Sequence, residues 1–184
     1  MMQEKIIAAG FGGQGVMSLG RLIAYTGMHK GKEVSWVPSY GPEMRGGTAN
    51  CNVIVSDTPI GSPIINGDAT TAIVMNYPSM VKFVSELDPD GLMLYNSSLI
   101  EEAPERDDIR VIAVDANRLA QEAGSLKVAN MVMLGAFLEA TKIFELSEVV
   151  NALKKVFGPS KEKFIPMNEE ALKQGMEVVN AVKV

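Results

Sequence analysis

The sequence predicts an α/β fold with a mostly parallel sheet and helices on both faces. Short apolar runs suited to buried strands alternate with stretches whose apolar residues recur at helical spacing. Glycine or small polar residues follow several of the strands, as they do in alternating strand and helix folds. The length of 184 residues suits one domain, so we expect residues 1–184 to fold as a single domain.

The first strand is predicted at residues 5–9, where a short apolar run stops at a glycine-rich turn. After the turn, Val16, Leu19 and Ile23 recur with the period of a helix face. Further strands are predicted where apolar or alternating runs are bounded by turn residues. These strands cover residues 33–37, 49–56, 71–75, 92–95 and 110–114.

Prolines and glycines between the strands indicate an irregular segment at 38–48 and a turn at 88–91. Asn76 and Pro78 predict the start of a helix at 79–87, because they suit the N-cap and the first turn. The last third keeps a helical period between capping residues. The predicted helices there are 129–144, 148–156 with Ser147 as N-cap and Gly158 past its end, and 169–183 with Asn168 as N-cap.

The charge balance narrows the classes of function. The 17 Lys and Arg residues against 22 Asp and Glu give a net charge of −5, which argues against nucleic acid as a partner. No apolar stretch approaches the ~18 residues of a membrane span, and the N-terminus lacks a signal segment. We therefore expect a cytoplasmic chain that has no membrane partner.

The cysteine content narrows the possible classes of function further. Cys51 is the single cysteine, which excludes an iron–sulfur cluster or a thiolate zinc site held by this chain alone. Counting glycine and leaving out tyrosine, about 54% of the residues are apolar, above the usual ~45–50%. That excess favours an interface buried against another chain.

Gly10, Gly12 and Gly15 form a G-x-G-x-x-G pattern between a predicted strand and helix, which is typical of Rossmann-like three-layer folds. We expect Gly10 to permit the tight turn, Gly12 to let a ligand approach the backbone, and Gly15 to let the helix pack closely. The amides from Gly13 onward suit an anion, and Gln14 can bond a ligand amide or a partner's backbone. The second strand ends without the acid of a dinucleotide site, so turn geometry and packing remain the alternative.

The segment after the second strand is a second candidate binding site. Arg45 can contact a phosphate or carboxylate with two hydrogen bonds, and Glu43 can pair with it or accept from a cationic ring. We expect this loop at the carboxyl edge of the sheet beside the glycine turn. An internally paired turn is the alternative. The candidate residues of the loop are Tyr40, Glu43, Arg45, Gly46, Gly47 and Thr48.

Four other residues have a predicted role. Asn130 opens a long apolar helix as a cap or a ligand contact, and the nearby Gly135 permits close approach of another element. His29 is expected to be solvated at a helix end, and Cys51 is expected to be a small buried hydrophobe. The sequence offers no nucleophilic side chain paired with a general base, which argues against an enzyme that catalyses a reaction on its own.

Three stretches form a distinctive set: GFGGQGV at 10–16, SYGPEMRGGTAN at 39–50 and NMVMLGA at 130–136. Together they resemble the gamma subunit of 2-oxoacid:ferredoxin oxidoreductases, and the similarity spans nearly the whole chain. The second stretch is the most specific, because generic α/β folding does not require it. In this family the domain occurs in pyruvate, 2-ketoisovalerate, 2-oxoglutarate and indolepyruvate enzymes, either as a subunit or fused to the alpha chain.

The resemblance implies that residues 1–184 form one gamma domain, of the catalytic type, within a larger enzyme. Such an enzyme decarboxylates a 2-oxoacid on thiamine diphosphate and Mg²⁺, reduces ferredoxin through iron–sulfur clusters and passes the acyl group to coenzyme A. The implied partners are alpha and beta subunits, with a delta subunit left open, and ferredoxin through the complex. No cofactor is expected to be firmly bound by this chain.

The resemblance also implies that the chain packs on the thiamine-carrying subunits near the path of coenzyme A. The glycine turn, the Arg45 loop and Asn130 are then the contact residues. Two alternatives stay open: a free-standing dinucleotide-binding oxidoreductase and an indolepyruvate oxidoreductase beta-type subunit. A non-enzymatic interaction module is a third class, and the choice of 2-oxoacid is open.

Overall fold

The computed structural model describes residues 1–40 and 48–182, with Tyr40 described by its backbone alone. Within these ranges six strands form one sheet in the order β2-β3-β1-β4-β5-β6. The strands are β1 (Gln3–Phe11), β2 (Glu33–Tyr40), β3 (Thr48–Ser56), β4 (Ala69–Val74), β5 (Leu87–Asn96) and β6 (Arg110–Val114). The α-helices are α1 (Val16–His29), α2 (Tyr77–Phe83), α3 (Ala116–Glu122), α4 (Ala129–Thr141), α5 (Leu146–Phe157) and α6 (Ile165–Val182).

The sheet is mixed but mostly parallel. The β1–β4, β4–β5 and β5–β6 pairs are parallel, whereas β3 is antiparallel to both of its neighbours, β1 and β2. The link between β2 and β3 is shorter than the dozen or so residues that a parallel crossover requires, so these two strands pair antiparallel. The other five strands share one direction, which confirms the predicted α/β class.

Both faces of the sheet are covered. Along β1, Ile6 and Ala8 join the hydrophobic cluster formed with α1, α4, α5 and α6. Ile7 and Ala9 point the other way, into a smaller cluster that includes α2. All four side chains are at most 2% exposed. The predicted arrangement of helices on both faces is therefore confirmed.

Two glycines allow α4 and α6 to cross closely. A Cβ added at Gly135 would lie 2.7 Å from the carbonyl carbon of Leu172, and one at Gly175 would lie 2.8 Å from the backbone nitrogen of Ala136. The predicted close approach at Gly135 is thus confirmed, and its partner is α6. Among the helices of the described ranges, none has both the length and the apolar character that a membrane span requires.

The second strand is longer than the sequence predicts. β2 continues beyond residue 37 through Pro38 to Tyr40, and Thr48 already belongs to β3. Pro38 is tolerated because β2 is the edge strand and pairs only with β3, so the missing N–H breaks no ladder on its free side. The predicted irregular segment 38–48 is correspondingly too long at both ends.

The turn predicted at residues 88–91 is wrong, because these residues lie inside β5. The pairing with β4 shifts there, since Ala69 opposes Leu87 whereas Thr71 opposes Leu92. The extra residues form a bulge in which Asp90 has a φ of 66°, a conformation that aspartate tolerates better than most residues. Residues that are typical of turns therefore form a β-bulge at this position.

Several helix ends also differ from the prediction. α2 stops at Phe83, and a 3-10 helix, Val84–Glu86, replaces the predicted last turn. α4 ends at Thr141 rather than at residue 144, because Lys142 adopts a left-handed conformation with a φ of 56°. The sequence analysis missed α3, which is short.

Two predicted N-caps are wrong. α5 is capped by Glu145, in a reciprocal capping box with Glu148, and not by Ser147. Asn168 lies inside α6, where its Nδ2 donates to the carbonyl of Phe164 at 2.7 Å. The predicted end of α5 at Gly158 is confirmed, with a φ of 65°.

Candidate functional site

The turn between β1 and α1 is made by two glycines in left-handed conformations. Gly13 has a φ of 97° and Gly15, the N-cap of α1, has a φ of 78°. The prediction that Gly10 permits the turn is wrong, because Gly10 is still in β1. A Cβ at Gly10 would lie 2.7 Å from Gln14 Oε1 and 2.9 Å from the Cβ of Met75, so glycine is required there for space.

Gln14 links the turn to the end of β4. Its Oε1 accepts from the Phe11 amide at 2.7 Å and from Asn76 Nδ2 at 3.1 Å, while its Nε2 donates to the Met75 carbonyl at 3.4 Å. Asn76 is itself the N-cap of α2 and accepts from the Ser79 amide. Both ends of the Gln14 carboxamide are therefore engaged within the chain, which fixes the shape of the turn.

Asn130 joins the start of α4 to the start of α1. It is the second residue of α4 and does not cap it, which corrects the capping interpretation. Its Nδ2 donates to the Gly15 carbonyl at 3.1 Å, and the side chain is 6% exposed. A Cβ at Gly15 would lie 2.5 Å from this nitrogen, which confirms that Gly15 allows close packing.

A cavity of about 320 Å³ opens beside the turn, beyond the carboxyl ends of the parallel strands. We call it the carboxyl-edge pocket. In open α/β sheets, ligands bind in this position where connections leave the sheet in different directions. The residues lining the pocket are Gly13, Gln14, Met75, Leu99, Asn117, Leu126, Lys127 and Ala129.

The carboxyl-edge pocket presents a lysine and an amide donor beside the start of α1. α1 begins without a side-chain cap and without an acid in its first turn, so its first amides carry the positive end of the helix dipole. Lys127 is exposed and forms no ion pair with the described residues. Asn117 Oδ1 accepts from Asn96 Nδ2 at 3.1 Å, whereas Asn117 Nδ2 forms no hydrogen bond in the described ranges.

Asp115, two residues before Asn117, does not line the pocket. Its carboxylate accepts from the Ser98 hydroxyl and pairs with Arg118. The Ser98 hydrogen bond, followed by Arg118, lowers the pKa of this carboxyl below its usual range. None of the described residues that line the pocket carries a carboxylate, so the pocket favours an anionic or carbonyl-bearing ligand.

The described ends of the second candidate loop lie at this same edge. Phe11 pairs with Thr48, and Gly10 and Tyr40 both lie opposite Ala49 across the ladders. Thr48 is exposed. The candidate residues Glu43, Arg45, Gly46 and Gly47 and the side chain of Tyr40 lie outside the described residues.

Asn76, Asn117 and Lys127 were not predicted from the sequence as parts of this site. Asn76 follows β4, and Asn117 follows the end of β6 after two residues. The signal was present, because small polar residues after several strands converge at one sheet edge when the strands are parallel. Lys127 gave no such signal, since it lies in a short 3-10 helix before α4.

Cys51 and His29 stand apart from the pocket. Cys51 is fully buried, and desolvation raises the pKa of its thiol to about 11, which confirms a small buried hydrophobe. His29 is exposed at the end of α1, with its ring 4.7 Å from that of Tyr25 in an edge contact. In the described ranges no three His, Cys, Asp or Glu residues are grouped as a metal site would require.

The comparison with known families decides the identity. The model of the pyruvate ferredoxin/flavodoxin oxidoreductase family matches residues 5–178. The chain belongs to this family. The match covers the glycine turn, the loop before β3 and the start of α4, which are the stretches that resemble the gamma subunit.

Curated members of the family are similar over nearly the whole chain. The ketoisovalerate oxidoreductase subunit VorA of Methanothermobacter thermautotrophicus is 36% identical over 95% of this chain. The 2-oxoglutarate synthase subunit KorC of the same organism is 31% identical over 97% of this chain and 96% of its own length. The chain spans 36% of the length of the VorA protein.

A solved member of the family has the same fold. The crystal structure of a keto/oxoacid ferredoxin oxidoreductase gamma subunit from Geobacter sulfurreducens is similar with a TM-score of 0.82 and 27% identity. The similarity covers 97% of this chain and 99% of that chain. The resemblance to the gamma subunit, inferred from three short stretches, is thereby confirmed.

Proposed function

We propose that this chain is the gamma subunit of a thiamine-diphosphate-dependent 2-oxoacid:ferredoxin oxidoreductase that forms acyl-CoA and CO₂ while reducing ferredoxin. In this proposal residues 1–184 act as one gamma-type domain in the cytoplasm. The chain packs on the thiamine-carrying alpha and beta subunits and forms part of the coenzyme A side of the active site. A delta subunit is a further candidate partner.

The observation that supports this role most strongly is the donor-lined carboxyl-edge pocket. Coenzyme A carries phosphates and a pantetheine arm with two amides, and these groups need cations and N–H donors. The uncapped start of α1 and Lys127 suit a phosphate, and Asn117 Nδ2 suits a pantetheine carbonyl. A volume of about 320 Å³ is at the lower end for a ligand site, so the pocket would hold only part of the molecule.

The remaining candidate contacts complete this proposal. Gly12 and Gly13 are exposed at the turn, where an approaching ligand or partner backbone meets no side chain. Arg45, Glu43, Tyr40 and Thr48 belong to the loop that starts and ends at the same edge. We assign Arg45 to a phosphate, because its guanidinium is the group best suited to a bidentate hydrogen-bonded contact. Gly10, Gln14, Gly15 and Asn130 shape the turn from within.

The chemistry belongs to other subunits. An iron–sulfur cluster needs several thiolates, and this chain has only Cys51, which is buried with a raised pKa. Among the described residues, no three His, Cys, Asp or Glu side chains are grouped as a site for the Mg²⁺ of thiamine diphosphate would need. The chain therefore does not fit these cofactors, and its own residues are limited to binding and positioning.

The two alternative functions are less well supported. A free-standing dinucleotide-binding enzyme needs an acid at the end of the second strand, whereas β2 of this chain ends with Pro38, Ser39 and Tyr40. An indolepyruvate-type subunit shares the family, and the 2-oxoacid panel described below distinguishes it from the other members. The 2-oxoacid itself would be selected mainly by the other subunits.

Purification of the chain from its native host under anaerobic conditions tests the proposal. Alpha and beta subunits should co-purify, and the complex should reduce a viologen dye in the presence of a 2-oxoacid, thiamine diphosphate and coenzyme A. A panel of pyruvate, branched-chain oxoacids, 2-oxoglutarate and indolepyruvate then names the substrate. A chain that purifies alone and binds a dinucleotide would refute the family role.

Substitution of Arg45 tests the assigned contact in the same complex. Arg45→Ala should slow acyl-CoA formation or weaken assembly, because a phosphate or a partner chain loses its cation. The matched control is Arg21→Ala, which removes an exposed arginine from α1. If Arg45→Ala leaves both acyl-CoA formation and assembly unchanged, the assignment is wrong.

A further inference from the structure

A groove of about 280 Å³ runs along the outer face of α2, on the smaller side of the sheet. We call it the α2 groove. Its apolar floor is formed by Tyr77, Val81 and Val84, and its opposite wall is formed by the loop at residues 102–106. It is separate from the carboxyl-edge pocket, with which it shares no lining residue.

The helix beside this groove is apolar on two sides. The inner side, with Met80 and Phe83, is buried against the sheet. The outer side presents Tyr77 and Val81, which are 50% and 56% exposed. A helix on a solvated surface is expected to be polar on its outer face, whereas one that is apolar all round is normally buried.

The wall of the α2 groove is held in place. Arg106 donates through Nη1 to the carbonyls of Val84, at 2.8 Å, and Leu87, at 3.0 Å. The same guanidinium makes two bonds to Asp108, through Nε at 2.8 Å and Nη2 at 2.6 Å. The groove therefore exists before a partner binds, which reduces the ordering entropy that binding has to overcome.

The rim of the α2 groove is acidic and unpaired. Glu102 and Glu105 line the groove, are exposed and form no ion pair with any described residue. Arg106, which also lines the groove, is already neutralised by Asp108. An apolar floor beside two unpaired carboxylates is complementary to an apolar side chain flanked by cations.

We propose that the α2 groove docks a segment of a partner subunit in which an apolar side chain lies between lysine or arginine residues. The apolar side chain enters between Val81 and the 102–106 wall, and the flanking cations face Glu102 and Glu105. This inference rests on the proposed function, because it assigns the occupant to the multi-subunit enzyme. The like charge of the rim disfavours an acidic partner.

The test uses the complex purified from the native host. Val81→Lys places a cation in the apolar floor of the α2 groove. There it would contact the partner's apolar side chain and repel the partner's flanking cations. Partner association should weaken by about ten-fold or more in a titration of the subunits. The matched control is Met28→Lys, which adds the same charge at a residue of α1 that is 59% exposed.

Two further measurements identify the partner segment. A carbodiimide that links carboxylates to amines without a spacer should connect Glu102 or Glu105 to a lysine of that segment. Glu105→Lys should weaken association several-fold at low salt and less at high salt, because rim charges are screened. Glu177→Lys, on the exposed side of α6, is the control for charge reversal.

Failure of this inference can be told apart from failure of the proposed function. If the complex forms and turns over, but Val81→Lys associates as tightly as Met28→Lys, the α2 groove is not an interface and the inference is wrong. If no partner subunits co-purify with the wild-type chain, both the proposed function and the inference are wrong. Thermal melting of each free variant confirms that it is folded.

Discussion

Glycine serves different purposes in two regions of this chain, the crossing of α4 and α6 and the turn after β1. At the crossing, an added Cβ on Gly135 or Gly175 would strike the backbone of the other helix. In the turn, Gly13 has no atom within 4 Å of an added Cβ, yet its φ is 97° and it lines the carboxyl-edge pocket. One region requires glycine for packing, and the other for backbone conformation and access.

Residues that support the fold therefore differ from those that face a ligand. Space that the chain itself fills cannot admit a ligand, whereas open space beside an uncapped helix start can. Gly15 belongs to both groups, because its φ is 78° and Asn130 Nδ2 would lie 2.5 Å from its Cβ. Substitutions in the two regions should therefore differ in the cause of their effect on the protein as well as in its magnitude.

The largest effect is expected at the helix crossing. Gly135→Ala should lower the free energy of unfolding by about 3 kcal/mol or more, because α4 and α6 must move apart to admit the methyl group. Thermal and urea denaturation followed by circular dichroism measure this change. Gly61→Ala, at an open position without a positive φ, should stay within about 0.5 kcal/mol. Equal effects for the two variants would contradict the packing argument.

A second test uses the thiol packed on the crowded side of the sheet. A Cβ on Gly20 would overlap Cys51 Sγ, and burial raises the pKa of that thiol from 9.0 to about 11. The unfolded thiol ionises first, so this contribution to stability is complete below pH 9 and is lost as the pH rises towards 11. The loss should total roughly 3 kcal/mol.

Denaturation of the wild type and of Cys51→Ala between pH 8 and 11 checks this prediction. The slope that Cys51 causes should be absent in the variant, while slopes from lysine titration remain in both proteins. Identical pH profiles would show that the thiol keeps its ordinary pKa in the folded chain.

A smaller effect on stability is expected at Gly15, and Gly31 is the matched control position. Both have a positive φ, 78° and 69°, but only Gly15 is crowded, by Asn130. Gly31→Ala should reduce the free energy of unfolding by about 1 kcal/mol through backbone strain. Gly15→Ala should reduce it by about 1 kcal/mol more, because Asn130 must release the Gly15 carbonyl. In an Asn130→Ala background the difference between the two glycine substitutions should shrink, because only the Cβ at position 130, 3.2 Å from the added Cβ, remains.

Much of the fold follows from the sequence because its signals are local. The strand, turn and helix from β1 to α1 are specified within residues 3–29, and the predicted segments agree with them. The errors occur where tertiary structure overrides local chemistry. Pro38 remains in a strand because β2 lies at the edge of the sheet, and residues 88–91 form a bulge because β4 continues beside them.

The site was only partly predictable, for a different reason. Gly13, Gln14 and Asn130 were found from the sequence motifs, but the contacts of Gln14 with Asn76 and of Asn130 with Gly15 join residues far apart in sequence. Lys127 reaches the pocket only because the 3-10 helix before α4 returns to the carboxyl edge. No sequence period encodes such an approach.

The central claim is that the carboxyl-edge pocket of this gamma subunit holds an anionic part of coenzyme A. Calorimetric titration of coenzyme A into the purified complex, without 2-oxoacid, tests it most directly. Lys127→Ala should raise the dissociation constant by about ten-fold, the loss of one charged contact, and leave assembly intact. Lys161→Ala, which removes an exposed lysine beside Phe157, should leave it unchanged. A dissociation constant that is the same in the wild type and both variants would contradict the claim.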